Sequence, residues 1–167
     1  MSPRAAWRLE SLGFPQVFDY VPGKQAWYED NGPREGKATG EIWIGDVADG
    51  SVPTCGLKER IGELRDRVQA DGRETCVVIN AQGIVLGLLR KKALEASPRA
   101  TAEEVMDPGP KTFRPNVTLQ ELLKSQRDHN IQTNSVVTTA EGRLLGVISR
   151  ADAEATFAHE GTVEATR

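Results

Sequence analysis

The chain has 167 residues, 38% of them hydrophobic and 27% charged, with a mean hydropathy of −0.43. A chain of this length can fold as one sizeable domain or two small modules without metal or disulfide staples. A formal net charge of −3 and a pI near 5.5 argue against nucleic acid held by a basic surface. They argue equally against a polybasic membrane binder.

An apolar run of about 20 residues is missing, as is a signal-peptide core of about 7–15. Cys55 and Cys76 lack CxxC spacing, and His129 and His159 lie far from them. No zinc site is expected, and a reducing cytoplasm is the expected compartment.

The first 28 residues hold six of the nine aromatics: Trp7, Phe14, Phe18, Tyr20, Trp27 and Tyr28. Residues 5–14 read as an amphipathic helix closed by Gly13 as its C-cap. Residues 17–21 read as a strand, Gly23 as a turn, and residues 24–31 as a short helix carrying Trp27. Asn31-Gly32-Pro33-Arg34-Glu35-Gly36-Lys37 reads as a linker. A fragment of this size cannot bury six aromatics alone, so it should dock on the remainder or swap onto a partner chain.

The remainder repeats itself. Val77-Val78-Ile79-Asn80-Ala81-Gln82-Gly83-Ile84-Val85-Leu86-Gly87 returns 59 positions later as Val136-Val137-Thr138-Thr139-Ala140-Glu141-Gly142-Arg143-Leu144-Leu145-Gly146. Strand, turn and glycine agree together, which marks a duplicated unit. In the first unit Leu57, Ile61, Leu64 and Val68 form one stripe of a helix. In the second, Leu119, Leu122 and Leu123 do so behind Thr118 as N-cap. Each helix leads to a β-branched run (residues 76–79 and 135–138). A turn closing on Gly83 or Gly142 and a second apolar run follow. Helices over residues 91–96 and 150–157 end the units. The order is strand, helix, strand, strand, helix, twice.

That order, with Gly146-Val147-Ile148-Ser149-Arg150-Ala151-Asp152 at its end, resembles the cystathionine-β-synthase (CBS) domain. Val105-Met106-Asp107-Pro108 is similar to the opening of such a repeat. The resemblance implies an α/β (α+β) fold of two β-α-β-β-α repeats, residues 44–97 and 101–158, packed as a pseudo-twofold pair. A small α-β-α extension, residues 1–36, would precede them, and residues 159–167 would form a flexible tail. It further implies a non-catalytic regulatory module, with no resident cofactor or metal. Such a module binds AMP, ADP, ATP or S-adenosylmethionine between the repeats, commonly as a homodimer, and acts on a regulated partner protein.

Asp152 stands in the first turn of a helix, with both oxygens able to accept from a ribose diol, and Ser149 can donate and accept beside it. By the resemblance, Asp152 would bind ribose hydroxyls, Ser149 the ribose or phosphate, and Val147 would flank adenine. Ser-x-x-Asp is also close to a capping box, which closes a helix without any ligand. The first unit has Arg90 and Ala93 at these positions, so one competent cleft is expected. The first repeat would complete it around residues 44–47 and 72–75, with Asp46, Arg73 and Thr75 as candidates.

Residues 1–36 look similar to the end of a rhodanese domain, in which Gly23-Lys24-Gln25-Ala26-Trp27 follows a strand. Met1-Ser2-Pro3-Arg4 stands where that family has its catalytic cysteine, so sulfurtransferase chemistry is not expected. A redox role for Cys55 and Cys76 is weighed and disfavoured, because neither is placed beside a helix N-terminus with a base. The alternative to a ligand sensor is a ligand-independent interaction scaffold.

Overall fold

The computed structural model describes residues 3–18, 22–30, 32–33, 41–129 and 134–164. Helix α1 (Pro3–Ser11) ends where the Gly13 amide donates to the Glu10 carbonyl at 3.0 Å and the Phe14 amide to Leu9 at 3.3 Å. Gly13 sits at φ +92°, so this is the glycine-terminated Schellman end that the sequence announces. Val17 and Phe18 are not in a strand, and the rest of the expected strand lies outside the described residues. Helix α2 (Gly23–Glu29) follows, and the Trp27 indole donates to the Pro33 carbonyl at 3.0 Å.

Among the described residues the expected burial of the aromatics does not occur within one chain, and Tyr20 lies outside them. Trp7 is 67% exposed and Phe18 81%, with Phe14 exposed beside them. One polar contact between this extension and the repeats is the Ala140 amide donating to the Glu29 carboxylate at 2.8 Å.

The first repeat opens with a single helical turn, α3 (Ile44–Val47). It continues through β1 (Thr54–Cys55), α4 (Ile61–Ala70), β2 (Cys76–Ile79), β3 (Val85–Leu89) and α5 (Lys91–Leu94). The second opens with α6 (Ala102–Val105) and the short strand β4 (Asp107–Pro108). Then come β5 (Thr112–Phe113), α7 (Leu119–Asp128), β6 (Ser135–Thr138), β7 (Leu144–Ile148) and α8 (Arg150–Glu164). Thr118 caps α7 as expected, accepting from the Glu121 amide at 3.2 Å while Glu121 accepts back from the Thr118 amide at 3.0 Å. Helix α8 is longer than residues 150–157, continuing to Glu164.

In one sheet β1 runs parallel to β2, and β3 lies antiparallel between β2 and β4. In the other, β5 is parallel to β6, which pairs antiparallel with β7. The two β-hairpins meet tip to tip, with Val85 donating to Gly142 and Leu144 to Gly83, both at 3.0 Å. Gly83 and Gly142 take φ of +78° and +86°, a turn geometry that glycine adopts at no steric cost.

The opening turn of each repeat packs on the other repeat. Ile44 of α3 is buried among Leu119, Leu122, Val137 and Ile148 of the second repeat. Ala102 of α6 is buried among Ile61, Leu64 and Leu89 of the first. Isolated bridges mark both crossings, Trp43 to Thr118 and Arg60 to Thr101. A third apolar layer of Val52, Val77, Leu88, Val136 and Val147 fills the space between the sheets.

Candidate ligand-binding site

Glycines on β3 and β7 let the opening segments cross. A Cβ on Gly146 of β7 would lie 2.9 Å from the Asp49 carbonyl carbon and oxygen. With no side chain there, Asp49 pairs with Val147: its amide donates to Val147 at 2.7 Å, and Val147 donates back at 3.1 Å. Gly87 plays the same part on β3, where Met106 lies against it and Asp107 pairs with Leu88.

The bridge sets first-repeat residues beside the end of β7, where the chain turns into α8. There Ser149 Oγ accepts from the Asp152 amide at 3.0 Å and donates to Asp152 Oδ2 at 2.6 Å. Ser149 is half-buried and Asp152 exposed. Asp49 Oδ1 accepts from the Ser51 amide at 2.9 Å and the Ser51 hydroxyl at 2.5 Å, while Oδ2 pairs with Arg73. The Ser51 hydroxyl first, then its amide, then the Arg73 guanidinium hold the Asp49 carboxyl down to about 2.

The sequence-derived candidates are thus only partly assembled. Arg73 is brought to the crossing through Asp49, and Thr75 is half-buried just before β2. Asp46 is exposed on α3, which packs against β7. Val147 departs from expectation: its side chain is 4% exposed because it fills the layer between the sheets, and its backbone is what pairs with Asp49. Asp49 itself was missed by sequence reasoning. Its signal was available, because Val47-Ala48-Asp49 matches Val105-Met106-Asp107 at a spacing of 58 rather than the 59 of the strands.

Residues 102–154 match the family model described as the CBS domain. Solved structures share the whole paired fold. One is the CBS domain pair of protein MJ0100 in complex with 5′-methylthioadenosine and S-adenosyl-L-methionine. Its TM-score is 0.63 at 15% identity, over 72% of this chain and 98% of that one. The fold is that of a CBS domain pair. A CBS-domain-containing protein from Agrobacterium tumefaciens matches at TM-score 0.60 and 22% identity, over 75% of this chain and 99% of its own. The cytosolic domain of the Mg2+ channel MgtE in complex with ATP matches at 0.59 and 20%, over 65% of this chain. This chain spans about half of that protein, 46%. No curated protein matches the chain. Neither the family match nor these structures supports the rhodanese likeness expected for residues 1–36.

The corresponding helix starts of the two repeats differ. Where Ser149 stands in the second repeat, Arg90 stands in the first and pairs with Asp107. Its Nε is buried without a partner, and Ala93 packs on the first-repeat core. Cys55 and Cys76 are neighbours in that core, 3% and 0% exposed. The Cys76 thiol and burial together push the Cys55 thiol far up, the opposite of what a nucleophile needs. Among the described residues no cluster of three metal-ligating side chains occurs, and no helix is long and apolar enough to cross a membrane.

Proposed function

We propose that the chain is a non-catalytic regulatory module that binds an adenosine-containing ligand between its two CBS repeats. The observation that supports this reading is the backbone crossing of Asp49 with Val147, two residues before Ser149. Proteins of this fold have been solved with ATP, with AMP, and with 5′-methylthioadenosine and S-adenosylmethionine. In this reading Asp152 accepts from the ribose hydroxyls, and Ser149 turns its hydroxyl from Asp152 to the ligand. Asp46, Arg73 and Thr75 close the first-repeat side. A ligand touching both repeats favours one relative arrangement of them and shifts the population toward it. Output then passes to a second copy of the chain in a homodimer, or to a regulated protein in the cytoplasm.

Thermal unfolding against AMP, ADP, ATP, S-adenosylmethionine and 5′-methylthioadenosine tests this. A ligand at about 100 times its Kd stabilises by about 2.7 kcal/mol. For a chain of this size that raises Tm by about 5 to 10 °C. The shift should be selective and should vanish in Asp152→Ala. The mutual hydrogen bonds of Ser149 and Asp152 also suit a second reading, a scaffold in which the pair only caps α8. A flat panel, with a partner complex indifferent to nucleotides, is the result that favours the scaffold.

A further inference from the structure

A groove of about 250 Å3 opens between α7 and α8, lined by Gln120, Leu123, Arg127, Glu154 and Phe157. Leu123 is nearly buried there, while Phe157 stays 47% exposed. Glu154 accepts from Arg150 at 2.8 Å. Arg127 is exposed, and its guanidinium has no partner among the described residues. Helix α1 carries the complementary set. Trp7 and Glu10 stand three residues apart, the spacing of neighbours on one helix face, and Phe14 follows just past the helix end. Trp7 is 67% exposed and Phe14 57%. The Glu10 carboxylate is exposed and likewise without a partner among the described residues. With Trp7 and Phe157 both uncovered, α1 does not close this groove within its own chain.

We propose that α1 of a second copy of this chain seats in the α7–α8 groove, with Trp7 against Leu123 and Phe157 and with Glu10 paired to Arg127. The proposal rests on the homodimer reading above, names its surface, and does not depend on the ligand between the repeats. The intervals agree: Trp7 to Glu10 rises about 4.5 Å along α1, and Leu123 to Arg127 about 6 Å along α7. An apolar group followed by an acid thus meets an apolar group followed by a base. Every copy carries both halves, so two seatings related by a twofold axis close the assembly. The exposed parts of Trp7, Phe14 and Phe157 come to about 350 Å2 of apolar surface per chain. At the usual apolar share of an interface, two chains then bury about 1,200 Å2 in all, where stable interfaces begin.

The test is light scattering of the full chain over a dilution series, for the parent, Trp7→Ala, Glu10→Arg and Arg127→Glu. The parent should weigh twice 18.2 kDa, and each substitution should raise its dissociation constant about tenfold or more. An equimolar mixture of Glu10→Arg and Arg127→Glu should recover the parent's affinity, because each copy then meets the opposite charge on the other. A mixture that recovers nothing, although both variants keep the parent's circular dichroism, would overturn the pairing. A dimer indifferent to all three substitutions would overturn the surface and leave the homodimer reading standing. A parent that is monomeric at every concentration would overturn both. Binding of that monomer to phosphatidylcholine vesicles, lost in Trp7→Ala, would give the face to lipid instead. Trp7→Ala removes mostly exposed atoms, so it decides the surface even if a charge reversal does not fold.

Discussion

Asp49 joins three parts of the molecule through one short side chain and its own peptide. Its backbone pairs with Val147, its carboxylate takes Ser51, and Arg73 closes the far side. A carboxyl lowered from 3.8 to about 2 binds its proton less well folded than unfolded, so ionised Asp49 favours the folded state. That contribution is complete above about pH 4 and is lost as pH falls toward 2. In urea melts at pH 7, 4 and 2, Asp49→Asn should be less stable than the parent at pH 7. The gap should close through the acid limb. A gap of constant size across that range would show that Asp49 acts by shape rather than charge. Ser149 and Asp152 were legible as a pair because three-residue spacing at a helix start has few meanings. Asp49 was harder to see, since it lies in a loop and its importance comes from a strand of the other repeat.

At the scale of elements, β2 and β6 fall where the β-branched runs place them, and α4 and α7 follow their apolar stripes. Period-two and helical patterns are local, so local chemistry reports them. The glycines of β3 and β7 read only as a repeated Leu-Gly pair; their reason is the chain passing over them. Gly146→Ala puts a methyl against the Asp49 backbone at 2.9 Å, which a close-packed crossing cannot absorb without a shift. The expected cost is about 1–3 kcal/mol in chemical denaturation. Faster hydrogen exchange at the Asp49 and Val147 amides should accompany it. A variant as stable as the parent would mean that the bridge is not a structural joint. The strand expected over residues 17–21 is absent at Val17 and Phe18, because an apolar run forms a strand only beside a partner edge.

For the whole molecule, the exchanged opening turns make the repeats one folding unit rather than two beads. Ile44 belongs by sequence to the first repeat and by packing to the second. Ile44→Ala should cost about 2–5 kcal/mol, the usual range for a large aliphatic removed from a core. Amide protection should fall first in β6 and β7, not in β2 and β3. Urea unfolding of the parent should be a single transition; two resolved transitions would contradict the interlock.

The sequence alone determined the duplicated unit, its strand and helix order, the α7 cap, the turn glycines and the Ser149–Asp152 pair. Each is set by contacts within a few residues or by repetition visible along the chain. Only the tertiary structure decided that each opening turn serves the opposite core and that Val147 turns its side chain inward. It also decided that Asp49, rather than a ligand, holds Arg73. Those outcomes depend on which distant surfaces pack together: Trp43 meets Thr118 and Asp49 meets Val147 across the repeats, at separations that no local pattern reports.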